Sequence, residues 1–233
     1  MPFELLICDC DGVLVDSEVL ACRVDAEELA DRGFSDYTLN EVLRRFAGVS
    51  QTDMIRAIEL ETGRSVGSDF ATRVTQRVEE ALAADLLPLP YAAATLESLG
   101  VRKCVASSSS PKKLELALSV TGLKQYFHPS IYSSVLVEHG KPAPDLFLHA
   151  AADMGVSADR CCVVEDSAAG VKAGIAAGMI VIGFTGGAHC LAGHAERLAE
   201  LGAHAVVNSW TDIPRLIEEL GNTSLRRRTV HNS

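Results

Sequence analysis

Two acidic clusters each follow directly on a short apolar run of this chain. The run at 5–8 leads into Asp9-Cys10-Asp11-Gly12, and the run at 161–164 leads into Glu165-Asp166-Ser167. Two close carboxylates could hold a divalent cation, and one of them could attack an electrophile. Each cluster also has a plain structural interpretation, because Asp and Gly are ordinary turn residues and either Asp166 or Ser167 could cap a helix.

Two further polar side chains occupy comparable places. Ser107 follows another apolar run, and its hydroxyl, together with backbone N–H groups ahead of a helix, could bind a phosphate oxygen. Lys141 stands between a glycine and a proline, where it could present a point charge to a phosphate. Read alone, Lys141 is more often a surface lysine, and the serine run is a capping signal, for which Ser109 or Ser110 is the better candidate.

Short strands alternating with helices must position these residues. The apolar runs are typical of strands buried on both faces, and they lie at 5–8, 101–106, 131–137, 161–164, 180–184 and 205–207. Helical stretches that end close to a glycine lie between most of them, at 91–99, 111–120, 144–154 and 167–177. This alternation predicts an α/β fold in which a parallel sheet is covered by helices on both faces.

The predicted sheet brings the acidic clusters together. Ligands of open parallel sheets bind at the carboxyl ends of the strands. If the strands at 5–8 and 161–164 are neighbours, the carboxylates of Asp9, Asp11, Glu165 and Asp166 converge at one edge. Hard oxygen ligands in that number suit Mg²⁺.

One segment interrupts the alternation. Residues 17–86 show helical patterns without a strand, including a capping box at Thr38-Leu39-Asn40-Glu41 and apolar faces at 50–61 and 69–84. We therefore predict a discontinuous α/β core, 1–16 with 87–233, and an inserted helical domain at 17–86.

Composition narrows the class of function. The chain has 233 residues, 48% of them hydrophobic and 22% charged, which is typical of a globular protein. A net charge of −10 disfavours nucleic acid and anionic membranes as partners. We see neither an apolar run of membrane-spanning length nor a secretory signal, and the seven cysteines form no CxxC pair, so we expect a reduced, cytoplasmic protein.

The order of the four motifs resembles the haloacid dehalogenase (HAD) superfamily. It is similar to the phosphatases with a helical cap after the first strand, near the β-phosphoglucomutase-like subgroup. The motifs are Asp9-Cys10-Asp11-Gly12-Val13, then Val105-Ala106-Ser107, then Lys141-Pro142-Ala143-Pro144-Asp145, and last Val164-Glu165-Asp166-Ser167. The resemblance covers nearly the whole chain and implies a Rossmann-like three-layer core with an inserted α-helical cap.

The resemblance also implies roles. Asp9 corresponds to a nucleophile that forms an aspartyl-phosphate, and Asp11 to the general acid that later activates water. Ser107 and Lys141 correspond to phosphate-holding residues. The implied Mg²⁺ environment consists of Asp9, the Asp11 carbonyl, Glu165 and Asp166. In the cap, the candidates for a substrate-facing loop are Phe46, Gly48, Val49 and Ser50, although Phe46 could equally belong to a helix core. Ser50 is the candidate binding residue among them.

These roles predict a Mg²⁺-dependent phosphatase of a small phosphorylated metabolite, a sugar phosphate such as 6-phosphogluconate. A β-phosphoglucomutase-type mutase is the first alternative, but that enzyme has an arginine at Gln51 and a histidine at Ala21. Cap arginines could compensate, and they are Arg44, Arg45, Arg73 and Arg77. A non-catalytic HAD-fold interaction protein is the second alternative, and it would be expected to lack Asp9 or Asp11. His189, Cys190 and His194 hint at a second metal site, although loop and surface histidines are the simpler interpretation.

Overall fold

A computed structural model describes residues 3–231, and it describes side chains as far as residue 222. The chain divides into two compact units, one formed by Met1–Val15 with Leu87–Ser233 and the other by Asp16–Leu86. We call these the core unit and the helical unit. No helix within residues 3–231 is both long and apolar enough to cross a membrane.

The core unit is built on a parallel sheet of six strands within the described residues. The strand order is β3-β2-β1-β4-β5-β6, so β1 lies between β2 and β4. The bounds are β1 Leu5–Cys8, β2 Arg102–Ser107, β3 Ile131–Ser133, β4 Cys161–Glu165, β5 Ile180–Phe184 and β6 Ala205–Val207. In register, Cys8 pairs with Val105 on one side and with Val164 on the other. The carboxyl ends of β1, β2 and β4 therefore meet at the same edge.

Helices cover both faces of this sheet. Their bounds are α5 Ala92–Ser98, α6 Pro111–Val120, α7 Asp145–Asp153, α8 Ala168–Ala176, α9 His194–Glu200 and α10 Ile213–His231. Leu5 and Ile7 of β1 pack in one apolar cluster with α7, α8 and α9. Leu6 points to the opposite face, since side chains alternate along a strand, and it is buried equally well. This is the predicted three-layer α/β fold, and the prediction is confirmed.

One predicted strand is shorter than expected. The apolar run 131–137 forms a strand only over Ile131–Ser133, and a 3-10 turn follows at Ser134–Leu136. The hydroxyl of Ser133 accepts a hydrogen bond from the Val135 backbone N–H and so caps that turn. Val135 and Leu136 are exposed, so the apolar run does not continue as a buried strand.

The helical unit consists of four helices within the described residues. They are α1 Ser17–Asp31, α2 Leu39–Phe46, α3 Gln51–Thr62 and α4 Phe70–Asp85. Thr38 caps α2, as the capping box predicts, and Ser50 caps α3. Leu29, Val42, Ile58 and Phe70 are among the buried residues of a separate apolar cluster. The unit therefore has a hydrophobic core of its own.

Candidate active site

Asp9, Ser107 and Glu165 lie where three neighbouring strands end. Asp9 comes one residue after β1 and its backbone N–H donates to the carbonyl of Val164 at 3.0 Å, which extends the pairing with β4. Ser107 and Glu165 are the last residues of β2 and β4. All three side chains are buried. The structure thus gathers at one sheet edge polar groups that are far apart in sequence.

Lys141 joins these three strand ends. Its Nζ atom donates to Asp9 Oδ1 at 2.6 Å, to Glu165 Oε1 at 2.6 Å and to the carbonyl of Ala106 at 2.9 Å. Its side chain is only 3% exposed, and the ammonium group also lies 4.9 Å from the ring centre of Phe147. Lys141 is therefore a buried cation at the centre of the site and not a solvated surface charge.

The carboxylate of Glu165 has hydrogen-bond partners on both oxygens. Lys141 occupies Oε1, while Oε2 accepts from the backbone N–H and the hydroxyl of Ser167 at 2.8 and 2.9 Å. The same Ser167 hydroxyl accepts from Gly170 N–H and caps α8. A Cβ atom at Gly170 would overlap the Glu165 carboxylate. Ser167 therefore both caps the helix and binds Glu165, and in this arrangement Glu165 orients Lys141.

Asp166 is held by two histidines that the sequence interpretation placed in loops or at the surface. Its Oδ2 atom accepts from His189 Nε2 at 2.9 Å, and its carbonyl oxygen accepts from His194 Nε2 at 2.6 Å. The Asp166 carboxylate also lies against Gly12, where a Cβ atom would overlap it. Gly12 has φ +76°, so this turn requires glycine for its backbone conformation as well.

Asp11 has partners in the segment that follows β2. Ser109 Oγ donates to Asp11 Oδ2 at 2.5 Å, and Lys113 Nζ lies 2.8 Å from Asp11 Oδ1. The sequence offered Ser109 or Ser110 as the helix cap. Ser110 caps α6 by accepting from Lys113 N–H, which leaves Ser109 to bind Asp11. This contact of Ser109 could not be predicted, because nothing local to a serine run indicates a distant carboxylate.

The two predicted substrate-binding serines lie in different units. Ser107 is 2% exposed at the end of β2, where its hydroxyl accepts from Ser109 N–H at 3.3 Å. Ser50 is in the helical unit, where its hydroxyl accepts from Asp53 N–H and donates to Asp53 Oδ2 at 2.7 Å. The binding roles of both serines stay predictions.

Burial sets the electrostatics of the site. Burial raises the pKa of Asp9 well above its usual range, and Glu165 and Asp166 raise it further, although Lys141 opposes them. Burial also raises the pKa of Asp166, to about 6, against the hydrogen bond from His189. Burial by itself would lower the pKa of His189, but Asp166 brings it to about 10. With three buried carboxylates, Asp9, Glu165 and Asp166, against Lys141 and His189, the site has an excess of buried acidic groups.

That excess fits a bound divalent cation. Among the described side chains, no group of three or more His, Cys, Asp and Glu residues could hold a metal ion by itself. Mg²⁺ needs no such cage, because it keeps several waters and binds through one or two carboxylates plus a substrate phosphate. Asp9 and Asp166 supply two buried carboxylates at neighbouring strand ends. Their carboxylate oxygens are hard ligands of the kind that Mg²⁺ prefers. A bound cation would offset the negative charge of these two buried groups.

Comparison with known proteins finds relatives in both sequence and structure. Residues 3–178 match the family model of the haloacid dehalogenase-like hydrolases. The chain is 32% identical to 6-phosphogluconate phosphatase of Escherichia coli over 80% of this chain and 84% of that enzyme. It is 30% identical to β-phosphoglucomutase of Bacillus subtilis over 77% and 82% of the two chains. A haloacid dehalogenase-like protein from Agrobacterium tumefaciens superposes with a TM-score of 0.87, at 38% identity, over 94% of this chain and 99% of that one.

Proposed function

The chain belongs to the haloacid dehalogenase-like hydrolases, and we propose that it is a Mg²⁺-dependent phosphatase of small phosphorylated sugars. The observation that carries the proposal is the buried contact between Asp9 and Lys141, with Asp11 two residues further along. A carboxylate next to a buried cation is suited to attack phosphorus, and a second carboxyl group nearby can move the proton.

We propose the following chemistry for the carboxylates. An oxygen of Asp9 forms a bond to phosphorus while the ester P–O bond breaks, which gives an aspartyl-phosphate. Asp11 gives its proton to the departing sugar oxygen. Water then attacks phosphorus, Asp11 takes a proton from it, and the release of inorganic phosphate restores the Asp9 carboxylate. Ser109 and Lys113 hold Asp11 in place for both proton transfers.

Asp9, Asp166 and the main-chain carbonyl of Asp11 are the groups that we propose would hold Mg²⁺. When bound, the ion would offset negative charge on the phosphoryl oxygens. Glu165, which the sequence analysis included among the ligands, has both oxygens in hydrogen bonds, so we assign it to the orientation of Lys141 instead. Lys141 and Ser107 hold phosphate oxygens, and Lys141 neutralises charge that develops on them.

A phosphorylated sugar is the substrate class that the relatives support. One relative is named 6-phosphogluconate phosphatase and another β-phosphoglucomutase. We propose that Ser50, in the loop that follows α2 of the helical unit, contributes to substrate choice. Phe46 lies in the core of that unit, as the helix-core alternative has it. We also assign the protein to the cytoplasm, because all seven cysteines are free thiols, which suits a reducing compartment.

The ion pairs of the cap arginines favour hydrolysis over the mutase reaction. Arg44 and Arg45 pair with Glu41, and Arg45 also pairs with Glu61. Arg73 and Arg77 pair with the buried carboxylate of Glu28. Gln51, at the position of the mutase arginine, hydrogen-bonds Asp25. Each cap arginine offered as a replacement for the mutase arginine thus has a carboxylate partner within its own unit.

A phosphate-release assay with and without Mg²⁺ tests the proposal. The substrates are p-nitrophenyl phosphate, 6-phosphogluconate and β-glucose 1-phosphate, with wild type, Asp9→Asn and Asp36→Asn compared. We expect Mg²⁺-dependent phosphate release that Asp9→Asn abolishes and that Asp36→Asn, an exposed change, retains. Equal turnover by wild type and Asp9→Asn would exclude the proposed nucleophile. Conversion of β-glucose 1-phosphate to glucose 6-phosphate without phosphate release would establish the mutase instead.

A further inference from the structure

The segment between β5 and α9, residues 185–193, packs against the turn that carries Asp9 and Asp11. The Cε1 atom of His189 lies 2.6 Å from where a Cβ of Gly12 would be, and 2.7 Å from where a Cβ of Gly187 would be. A Cβ at Gly187 would also lie 3.1 Å from the carbonyl oxygen of Gly12. Two glycines therefore leave the space that the His189 ring fills, and His189 is only 10% exposed.

The two histidines at this segment contact different parts of one residue. His189 donates to the Asp166 carboxylate, and His194, the first residue of α9, donates to the Asp166 carbonyl. Their rings lie edge to face with centres 6.0 Å apart. The side chain and the main chain of Asp166 are thereby both fixed by residues of the stretch 189–194.

A separate metal site at these histidines does not fit this arrangement. A site of His189, Cys190 and His194 would need ring nitrogens as ligands, but the Nε2 atom of each histidine donates to Asp166, which leaves only the Nδ1 atoms for such a site. Moreover, no metal-holding group of three such side chains occurs in the described part of the chain. In this geometry the contacts of both histidines are directed at Asp166.

We propose that His189 and His194 are positioning residues that orient Asp166 for the divalent cation. The inference rests on the proposed function, because Asp166 is its candidate metal ligand. A carboxylate with one oxygen fixed by a hydrogen bond presents the other in a defined direction. Partners of this kind typically change metal affinity 10- to 100-fold when removed. The hydrogen bond from His189 bears on the carboxylate directly, so its loss has the larger effect.

The test measures binding of the metal alone to the full-length protein, without substrate. His189→Leu fills the buried space without a hydrogen-bond donor, whereas His189→Gln keeps an N–H donor at similar reach. His194→Leu removes the contact to the main chain. His128→Gln, at an exposed histidine of the core unit, is the matched control. Mg²⁺ affinity is measured by calorimetry and Mn²⁺ affinity by electron paramagnetic resonance, and metal-free melting temperatures report on folding.

We expect His189→Leu to weaken both affinities by about 10- to 100-fold. His189→Gln should bind both ions within about threefold of the wild-type affinity. The affinities of His194→Leu should lie between those of His189→Leu and His189→Gln. His128→Gln equals wild type. If a leucine variant does not fold, His189→Gln is compared with His189→Asn, whose shorter side chain cannot reach Asp166. The positioning role then requires tighter metal binding by His189→Gln, and equal affinities would overturn it.

Unchanged or tighter metal binding by His189→Leu would overturn the positioning role, and so would a His189→Gln affinity as weak as that of His189→Leu. Either result leaves the proposed function standing when wild type releases phosphate with Mg²⁺ and Asp9→Asn does not. A wild-type protein that binds neither Mg²⁺ nor Mn²⁺ overturns the metal dependence and, with it, the positioning role.

Discussion

The Nζ atom of Lys141 lies 2.6 Å from Oδ1 of Asp9, although 132 residues separate them in the chain. Both side chains are buried, so neither charge can be satisfied by bulk water. Burial of each group alone would favour its neutral form, yet Asp9 and Glu165 raise the pKa of Lys141 above its ordinary value. Lys141 is therefore held as a cation between the carboxylates of Asp9 and Glu165.

We expect Lys141→Met to abolish phosphatase activity and to lower the free energy of unfolding by about 3–5 kcal/mol, because Asp9 and Glu165 lose their buried cation. Urea unfolding and phosphate release measure the two effects. Lys172→Met, at an exposed lysine of α8, is the control and should behave as wild type. Adding Glu165→Gln to Lys141→Met should restore part of the stability and none of the activity. A double variant no more stable than the single one would contradict this account.

Alanine substitutions at the three serines that follow β2 should have three different effects on kcat and stability. Ser109→Ala removes the hydrogen bond to Asp11 and should lower kcat by about 2- to 10-fold, which corresponds to one hydrogen bond. Ser110→Ala removes the cap of α6 and should cost about 1 kcal/mol of stability with kcat retained. Ser108→Ala, at an exposed side chain, is the control. Steady-state kinetics and thermal unfolding distinguish the three, and equal kcat values for Ser108→Ala and Ser109→Ala would rule out the role of Ser109.

Gly170→Ala should reduce activity at least tenfold, although alanine favours a helix by about 1 kcal/mol over glycine. The added Cβ would overlap the Glu165 carboxylate and displace it from Lys141. Lys172→Ala in the same helix should keep full activity. Glu165→Asp shortens the side chain and withdraws its carboxylate from the added Cβ. The double variant Glu165→Asp, Gly170→Ala should therefore be more stable than Gly170→Ala alone. Melting temperatures and phosphate release check both statements, and a fully active Gly170→Ala would refute the steric argument.

Asp25 of α1 should make the protein less stable as the pH rises. Burial, chiefly, raises the pKa of Asp25 to about 6, with a contribution from Glu18 and an opposing hydrogen bond from Gln51. The folded state binds the Asp25 proton more tightly than the unfolded state, so stability falls as the pH rises from about 4 to about 6. Asp25→Asn removes this penalty and should raise the free energy of unfolding at pH 7.5 by about 1–3 kcal/mol.

The Asp25→Asn advantage should vanish below about pH 4, where the carboxyl group is protonated in both states. Asp36→Asn, an exposed change in the same unit, is the matched control and should be as stable as wild type. Urea unfolding at pH 7.5 and pH 4 measures the difference. An Asp25→Asn protein that is no more stable than wild type at pH 7.5 would exclude the burial penalty.

Much of the site follows from local sequence. Asp9 and Glu165 could be placed at strand ends because a short apolar run stops at each, and their meeting followed from the geometry of parallel sheets. The functions of Glu165 and Ser109 could not be assigned in this way. Glu165 differs from Asp166 in having both oxygens occupied by neighbours, and the partner of Ser109 is 98 residues away. The strand predicted over 131–137 ends at Ser133, where the Ser133 hydroxyl caps the 3-10 turn that follows.

The sequence by itself determined which elements form and which chemical groups stand at their ends. Hydrophobic periodicity, glycine and capping residues are local properties, and they set the α/β alternation and the helical insert. Only the tertiary structure decided which of those groups touch. His189 became a partner of Asp166 because two glycines, 175 positions apart in numbering, leave room for its ring. A hydrogen bond requires donor and acceptor atoms about 3 Å apart. Between segments remote in sequence, only the packing of the folded chain fixes such distances.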